Sequence, residues 1–367
     1  MKPLEGLNSD KKLLCRRRRR TSMDDGISEE LVMSEVHLGC PPGFLGSYVS
    51  NFTISFPSGS DDLDTETKTY VSDSSSSKQL IGFDEDGDLV LPRRVNVEEP
   101  SVRSFNVSIQ HDVMSTIPSV GLQVWKAELV LSDFVLHTML TSSEFQGIVA
   151  LELGAGTGGL ILLLLPGLVG ILLARVAKTI FLTDKGDRVL DNCAKNINLN
   201  SGGFSAGVAV HVRELDWTKP WPPKRTQGEC RPNNRYSWAS SEVEEALGAS
   251  LLVAADVIYS DDLTDAFFNM LEKFMSQGSE KVLYLALEKR YNFTLDDFDI
   301  VANGYSHFLS YLKHEKDDTE NSRLEQESKP YFVGHRIDLA NIPQYVLNYE
   351  RGKDVEIWQI KYCRKES

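Results

Sequence analysis

The chain has 367 residues, enough for one large domain or two ordinary ones, and its 53 acidic against 39 basic residues give a formal net charge of −14. This acidic excess argues against a protein that coats nucleic acid, and it suits a basic partner such as a lysine-rich protein surface. The five cysteines form no CxxC pair and have no histidine at metal-ligand spacing, which predicts a reducing compartment with neither a zinc site nor a disulfide framework.

The first 80 residues combine a basic run with serine-rich and acidic stretches. Apolar residues occur there singly, so the segment cannot bury enough surface to offset its ordering entropy, and we expect residues 1–80 to be disordered. The run CRRRRR at residues 15–20 indicates a nuclear-import signal, with a solvated charge run as the alternative. We therefore expect the protein in the nucleus, the cytoplasm or both.

Residues 81–118 have the pattern of strands that lead into a core. GFDEDGDLVLPRRV reads as an acidic turn followed by a short strand, and SFNVSIQHDV, at residues 104–113, alternates as a strand does. The next segment, WKAELVLSDFVLHTML at residues 125–140, has apolar residues at helical spacing. It predicts an amphipathic helix.

Strand and helix patterns then alternate to the end of the chain. GIVALEL, KTIFLTD, VAVHVRELDW, ASLLVAADVIY and EKVLYLALEKR read as strands, the Pro-rich segment 218–247 as a loop, and GHRIDL with EIWQIKYC as a final hairpin-like pair. This order predicts an α/β fold with a doubly wound, mostly parallel sheet and an antiparallel edge strand. Ligands of such sheets bind outside the carboxyl ends of the strands. Those ends carry Glu152 and the glycines after it, Asp184, Asp216, Trp217 and Asp256.

The apolar stretch LELGAGTGGLILLLLPGLVGILLARVAKTIFLTD, residues 151–184, allows three interpretations. A membrane span is long enough, because no charge lies between Glu152 and Arg175, but the glycines, Pro166 and the β-α-β pattern that follows argue against it. A dinucleotide loop fits GxGxxG, yet the expected acidic residue about 20 positions on is absent, since Asp184 lies 30 beyond Gly154. The third interpretation is the loop GAGTG with a carboxylate ahead of it, which suits a cationic cofactor such as S-adenosyl-L-methionine.

The motifs LELGAGTG, LTD, NINLN, LDW and ADVIY, in this order and with GLQVWKA at residues 121–127, resemble the seven-β-strand methyltransferases. They are most similar to the methyltransferase-like family 16, which modifies protein lysines, and the similarity covers about residues 80–363. The resemblance implies a Rossmann-like, seven-stranded methyltransferase domain over residues 119–367, with S-adenosyl-L-methionine as cofactor and a lysine-bearing protein as substrate. By family analogy, the partners are chaperones or nucleic-acid-associated factors.

The resemblance also implies roles for particular residues. Glu152 holds the amino group of the cofactor through the loop, Asp184 binds its ribose, and Asp216 and Trp217 flank its adenine. The other cofactor contacts are Trp125, Gly154, Ala155, Gly156 and Ala255.

The acceptor lysine is expected at the DVIY corner. Its ammonium, of pKa ~10.4, has no lone pair, so acceptors must orient the neutral amine. Asp256 is placed to hold that amine and Tyr259 to line the slot. The alternatives are a helix cap for Asp256, a core aromatic for Tyr259, an interface aromatic for Trp217, and a surface ion pair for Glu288 and Arg290.

Residues 159–167, GLILLLLPG, depart from the family pattern, in which GAGTG runs directly into a segment like LVGILLA. Removing them puts Asp184 at 21 positions after Gly154, so we interpret them as an insertion, of the kind that alternative splicing produces. Such an insertion is expected to impair cofactor binding. The function predicted is lysine N-methylation by a monomer that binds neither membrane nor nucleic acid and holds no metal. The alternatives are a non-catalytic partner-binding protein, or a methyltransferase for nucleic acids or small molecules.

Overall fold

A computed structural model describes residues 31–33, 44, 46–56, 82–83, 89–90, 103–112, 114–116, 123–154, 167–222, 235–294, 299–313 and 331–364. The arginine run at residues 16–20 lies outside the described residues. The first eight residues of the insertion expected at 159–167 lie outside them as well.

Six helices and sixteen strands occur in the described residues. The strands are β1 (Leu31–Met33), β2 (Ser47–Ser55), β3 (Gly82–Phe83), β4 (Leu89–Val90), β5 (Ser104–Asp112), β6 (Met114–Thr116), β7 (Val149–Leu153), β8 (Thr179–Asp184), β9 (Ala209–Glu214), β10 (Leu251–Ala255), β11 (Val282–Glu288), β12 (Asn292–Thr294), β13 (Asp299–Val301), β14 (Leu312–Lys313), β15 (Tyr331–Ile337) and β16 (Val355–Cys363). The helices are α1 (Lys126–Thr141), α2 (Leu168–Leu173), α3 (Asp187–Asn200), α4 (Ser240–Leu247), α5 (Asp261–Met275) and α6 (Asn303–Ser310).

The central sheet has the strand order β14-β15-β16-β11-β10-β7-β8-β9. Strands β9, β8, β7, β10 and β11 pair in parallel, and β16 runs antiparallel between β11 and β15. The doubly wound α/β sheet with an antiparallel strand at one side is thus confirmed. It has eight strands rather than seven, because the two-residue strand β14 pairs in parallel with β15 at the edge.

Helices cover both faces of the sheet. Tyr284 and Leu285 are neighbours on β11 and point to opposite faces, and Trp358 pairs with Leu285. On one face the ring of Phe134, from α1, lies 4.6 Å from that of Tyr284. On the other face Phe308, from α6, lies 5.6 Å from Trp358, and these two layers enclose the core.

Helix α1 is buried on all sides along most of its length. The sequence predicted an amphipathic helix with a solvent-facing side, and for α1 that prediction is wrong. Residues 127–136 are all buried, including Glu128 and Asp133. The sheet covers one side of the helix, α2 lies beside it, and the backbone of Tyr345 and Val346 donates two hydrogen bonds of 2.8 Å to Asp133 Oδ1. The polar residues that the pattern placed on a solvent-facing side are therefore buried and hydrogen-bonded to neighbouring segments.

Strand β2 lies within the 1–80 region that the sequence predicts to be disordered, and for residues 47–55 that expectation is wrong. The strand pairs antiparallel with β5 along its whole length. Phe52 and Ile54 are 0% exposed, and Leu347 N donates to Thr53 O at 2.9 Å. A partner about 50 residues away in sequence supplies the burial that the local composition lacks.

The asparagines of the NINLN motif join α3 to β5. Asn196 Oδ1 accepts from Gln110 N at 2.7 Å, and Asn196 Nδ2 donates to Gln110 O at 3.1 Å. Asn200, one turn further on, makes the same pair of bonds with Ser108, at 3.0 and 2.8 Å. Because residues four apart share one helix face, the motif satisfies the backbone of β5 with side-chain amides.

The Pro-rich segment predicted as a loop over residues 218–247 contains a helix, α4, at its end. Ala239 N donates to Glu242 Oε2 at 2.9 Å, which satisfies one of the free amides at the helix start. Ala246 is fully buried. The expected loop is therefore shorter than the sequence suggested, because Val243 and Leu247 also pack against the core and hold the helix there.

The apolar stretch 151–184 contributes β7, the six-residue helix α2 and β8 to the domain. Within the part of the chain that the structure describes, no helix is both long and apolar enough to cross a membrane. The stretch supplies the centre of the sheet.

Candidate active site

The carboxyl ends of five parallel strands meet at one edge of the sheet. Backbone hydrogen bonds extend the pairing past the strand ends, from Gly154 N to Thr183 O at 3.0 Å and from Asp256 N to Ala286 O at 2.7 Å. Leu215 N likewise bonds Asp184 O at 2.7 Å. The polar residues that the sequence places after the strands are therefore brought to one edge.

Glu152 and Asp184 lie on the same face of the sheet. Glu152 pairs with Leu182 across β7 and β8, and Asp184 follows Leu182 by two residues, so all three side chains point to one side. Helix α2 covers this face, since Gly170 N donates to Glu152 Oε2 at 2.9 Å. The sequence hypothesis of two carboxylates around one ligand requires this arrangement.

The carboxylate of Glu152 is buried beneath α2. A Cβ on Gly170 would lie 2.6 Å from Glu152 Oε2, so only glycine permits this close approach of the helix. Burial raises the pKa of Glu152 to about 7, and the hydrogen bond from Gly170 opposes the rise. A nearby cation would favour the ionised form of this group.

Glu128, in α1, is a second buried carboxyl at the start of α2, and sequence analysis missed it. Its Oε1 accepts from Leu168 N at 2.8 Å, and its Oε2 has no hydrogen-bond partner among the described residues. Burial, and then the charge of Glu152, raise its pKa well above the usual value. The sequence signal that could have found it is a glutamate inside the largely apolar run WKAELVL, which indicates a buried charged residue.

Asp184 ends β8 and is 0% exposed. Its Oδ1 accepts from Lys185 N at 2.5 Å. Cys193, in α3, lies close enough that Asp184 contributes to its raised pKa, after the larger effect of burial. Asp184 is therefore a fully buried carboxyl at the end of β8, and its role as a ribose ligand stays a prediction.

Asp216 and Trp217 follow β9 and are held by other side chains. Asp216 Oδ2 binds Lys185 Nζ at 3.0 Å, and its Oδ1 accepts from Thr218 Oγ1 at 2.6 Å. Burial opposes ionisation of Asp216, but the hydrogen bonds from Thr218 and Lys185 outweigh it and lower its pKa. The buried ring of Trp217 packs edge-on against Phe267 of α5 at 5.0 Å.

The glycine loop is described only at its first residue. Gly154 has a φ of 77°, a left-handed conformation that favours glycine and turns the chain away from β7. Ala155 and Gly156, the other loop residues expected to contact the cofactor, lie outside the described residues. Ala255, at the end of β10, is buried one residue before Asp256.

Arg290 brings Asp256 and Trp125 together. Its Nη2 binds Asp256 Oδ2 at 2.5 Å, and its guanidinium carbon lies 5.4 Å from the centroid of the Trp125 ring. Asp256 is 1% exposed and does not cap the following helix, whose N-cap is Ser260. Tyr259 is half-buried and packs against the core, as its alternative interpretation predicted.

The charged pair after β11 differs from the surface ion pair that the sequence suggested. Glu288 Oε1 binds Lys126 Nζ at 3.0 Å, while Arg290 turns to Asp256. Both pairs are less than one-third exposed. The end of β11 and the residues after it therefore contact the start of α1 and the residue after β10, and these partners lie 34 or more residues away in sequence.

These residues fit S-adenosyl-L-methionine. Two buried carboxyl groups on one face suit its cationic amino-acid part and its ribose hydroxyls. The Nε1 atoms of Trp125 and Trp217 are buried donors with no hydrogen-bond partner within the described residues. The same part of the chain contains no group of three or more His, Cys, Asp or Glu residues that could hold a metal ion.

Comparisons with known proteins find similar sequences. A family model described as "Lysine methyltransferase" matches residues 104–230. Human methyltransferase-like protein 22 is 36% identical over 260 residues, which are 69% of this chain and 57% of that protein. Protein-lysine N-methyltransferase EFM2 of Saccharomyces cerevisiae is 29% identical over 209 residues, which are 52% of this chain and 43% of that protein. The chain thus spans between two-fifths and three-fifths of the length of these relatives.

Among solved structures, the N-methyltransferase NodS from Bradyrhizobium japonicum in complex with S-adenosyl-L-homocysteine is similar over 64% of this chain and 85% of its own, with a TM-score of 0.33 and 12% identity. The fold itself is read from the strand order, with β16 antiparallel between β11 and β15. Residues 104–230 of this chain are thus similar to the lysine methyltransferase family.

Proposed function

We propose that this protein is an S-adenosyl-L-methionine-dependent protein-lysine N-methyltransferase. The observation that carries the proposal is the placement of Glu152 and Asp184 on one face of the sheet, at the carboxyl ends of β7 and β8. The family match supports the reaction class. The relatives support the substrate class, because EFM2 is named as a protein-lysine N-methyltransferase.

When bound, S-adenosyl-L-methionine supplies the methyl group and a neutral thioether leaving group, so the protein mainly orients the reactants. Glu152 binds the ammonium of the cofactor, and the approach of that positive charge holds the carboxyl in its ionised form. Asp184 accepts hydrogen bonds from the ribose hydroxyls. Its side chain is fully buried at the end of β8.

The remaining cofactor contacts surround these two carboxylates. Gly154 turns the loop, and Trp125 and Trp217 offer buried indole donors and ring surface. Asp216 lies next to Trp217 and is already ionised by its contacts with Lys185 and Thr218. A carboxylate has more acceptor lone pairs than these contacts use, so Asp216 can also accept a hydrogen bond from the adenine amino group.

The acceptor lysine enters at the corner formed by Asp256 and Tyr259. A carboxylate oxygen of Asp256 accepts from the amine, and Tyr259 forms part of the slot wall. The net charge of −14 favours a basic protein surface as partner. By analogy with the family, such substrates include chaperones and nucleic-acid-associated factors, met in the nucleus or the cytoplasm.

The insertion at residues 159–167 is proposed to weaken cofactor binding. It precedes α2, whose first turn is held by Glu128 and Glu152. Since the end of the loop is fixed there, nine extra residues must be accommodated beside the cofactor. Isothermal titration with S-adenosyl-L-methionine of the chain and of a variant lacking residues 159–167 tests this, and equal, tight binding by both would overturn it.

The proposed activity is tested by incubating the variant lacking residues 159–167, and the full chain, with tritiated S-adenosyl-L-methionine and heat-treated cell extract. We expect label that protease releases and nuclease does not, and methyl-lysine in the hydrolysate. Asp184→Ala is the negative control, with circular dichroism to verify its fold. Label released by nuclease would indicate a nucleic-acid methyltransferase, and cofactor binding without any transfer would indicate a non-catalytic partner-binding protein.

A further inference from the structure

Asp256 is held in place by the backbone and by the segment after β11. It adopts a left-handed conformation with a φ of 52°, which non-glycine residues rarely do, and its N–H bonds Ala286 O at 2.7 Å. Its Oδ1 accepts from Glu288 N at 3.4 Å, and its Oδ2 binds Arg290 at 2.5 Å. Contacts from β11 and from the segment after it therefore orient this buried carboxylate.

Arg290 connects this carboxylate to the cofactor side of the site. Its side chain is 30% exposed, and its guanidinium stands over the ring of Trp125, at the start of α1. The other charged groups nearby are paired among themselves, because Lys126 of α1 binds Glu288, and Lys289 binds Glu356 at 2.7 Å. Arg290 therefore supplies a positive charge directly to Asp256.

We propose that Arg290 is a positioning residue that neutralises Asp256, so that the site holds the acceptor lysine as an amine rather than as an ammonium. This role rests on the proposed function. A buried carboxylate without a counter-charge favours an ammonium beside it, which has no lone pair and cannot accept a methyl group. A carboxylate paired with arginine keeps its hydrogen-bond acceptors while its charge is cancelled.

The role of Arg290 predicts a change in pH dependence. In Arg290→Gln, the carboxylate of Asp256 stabilises the substrate ammonium, so the pH of half-maximal kcat/KM rises by about one unit or more. At neutral pH the rate falls roughly tenfold or more, and most of it returns at high pH. Arg290→Lys, which keeps the charge, shifts the profile much less.

The experiment measures methyl transfer to the heat-treated extract between pH 6.5 and 10 for the parent, R290Q and R290K, each with and without residues 159–167. Arg336→Gln is the matched control, because Arg336 forms an ion pair of 2.9 Å with Glu356, away from Asp256. An unchanged pH of half-maximal rate in R290Q, with activity lost equally at every pH, would overturn the proposal and leave Arg290 a structural role only.

A second measurement separates this proposal from the proposed function. If Arg290 neutralises Asp256, R290Q leaves a buried charge and lowers Tm, and adding Asp256→Asn recovers a large part of the loss. Additive losses in the double variant would overturn the charge pairing whether or not the enzyme turns over. A positive Tm coupling with no methyl transfer by any form would overturn both the proposed function and the role of Arg290 in it.

Discussion

Glu152→Gln is expected to stabilise the cofactor-free protein and to weaken its binding of S-adenosyl-L-methionine. The pKa of the buried carboxyl is raised from 4.5 to about 7. Below pH 4.5 the group is protonated in both the folded and the unfolded state, so it has no effect on stability. Between pH 4.5 and 7 the unfolded chain releases its proton while the folded protein retains it, and the free energy of unfolding falls.

Above pH 7 Glu152 is ionised in both states, and the loss of unfolding free energy caused by its buried charge has reached its full value. A difference of two to three pKa units at about 1.4 kcal/mol per unit amounts to about 3 kcal/mol. Glutamine carries no charge, and its carbonyl can still accept the hydrogen bond from Gly170 N. E152Q is therefore more stable than the parent by about 3 kcal/mol at pH 8, which corresponds to roughly 6–12 °C in Tm, and nearly equal to it at pH 4.5.

Urea denaturation without cofactor, at pH values from 5 to 8, measures this difference. Glu356→Gln is the control of opposite sign: burial opposes ionisation of Glu356, but hydrogen bonds from Lys289, Tyr305 and Arg336 outweigh it and lower its pKa, so that its charge stabilises the fold above its unfolded pKa. Parallel curves for the parent and E152Q over this pH range would refute the reasoning.

Three further substitutions test the packing around the site by urea denaturation. Phe52→Ala removes a fully buried ring from β2 and should cost about 3–5 kcal/mol; a loss below 1 kcal/mol would mean that β2 is not part of the core. In the parent, Arg351 binds the buried carboxylate of Asp133 at 2.8 Å. Asp133→Ala removes this carboxylate partner and should cost about 3–5 kcal/mol of unfolding free energy. The control Arg235→Ala breaks an exposed pair and should cost less than about 1 kcal/mol, so equal losses would contradict the argument. Asn196→Ala removes the acceptor of Gln110 N, while Gln110 O keeps its hydrogen bond from Asn192 Nδ2 at 2.9 Å, and should cost about 1–3 kcal/mol; an Asn196→Ala protein as stable as the parent would show that water replaces the amide.

The sequence predicts the order of the fold well because the central strands are buried on both faces and read as short apolar runs. It predicts the edge at which Glu152 and Asp184 meet for the same reason, since the carboxyl ends of parallel strands coincide. Burial was harder to predict where it depends on distant partners. Strand β2 lies in a polar stretch of sequence, and β5 and the backbone of Tyr345 and Leu347 supply its partners.

The chemistry of individual side chains was predicted less completely. Glu128 looks like a solvent-facing residue of an amphipathic helix, and only the approach of Leu168 N shows why it is buried. Asp256 and Arg290 are 34 residues apart, and their pairing follows from the adjacency of β10 and β11, which no local pattern contains. The sequence therefore singled out Asp256 but not its pairing with Arg290.

The pairing of β2 with β5 has a practical consequence for where this domain begins. The family match begins at residue 104, which is also the first residue of β5. A variant truncated there would leave the hydrogen-bonding edge of a nine-residue strand bare and uncover the apolar surface that Phe52 and Ile54 now shield. Such a variant is expected to self-associate, whereas one beginning before Ser47 keeps the native strand on that edge.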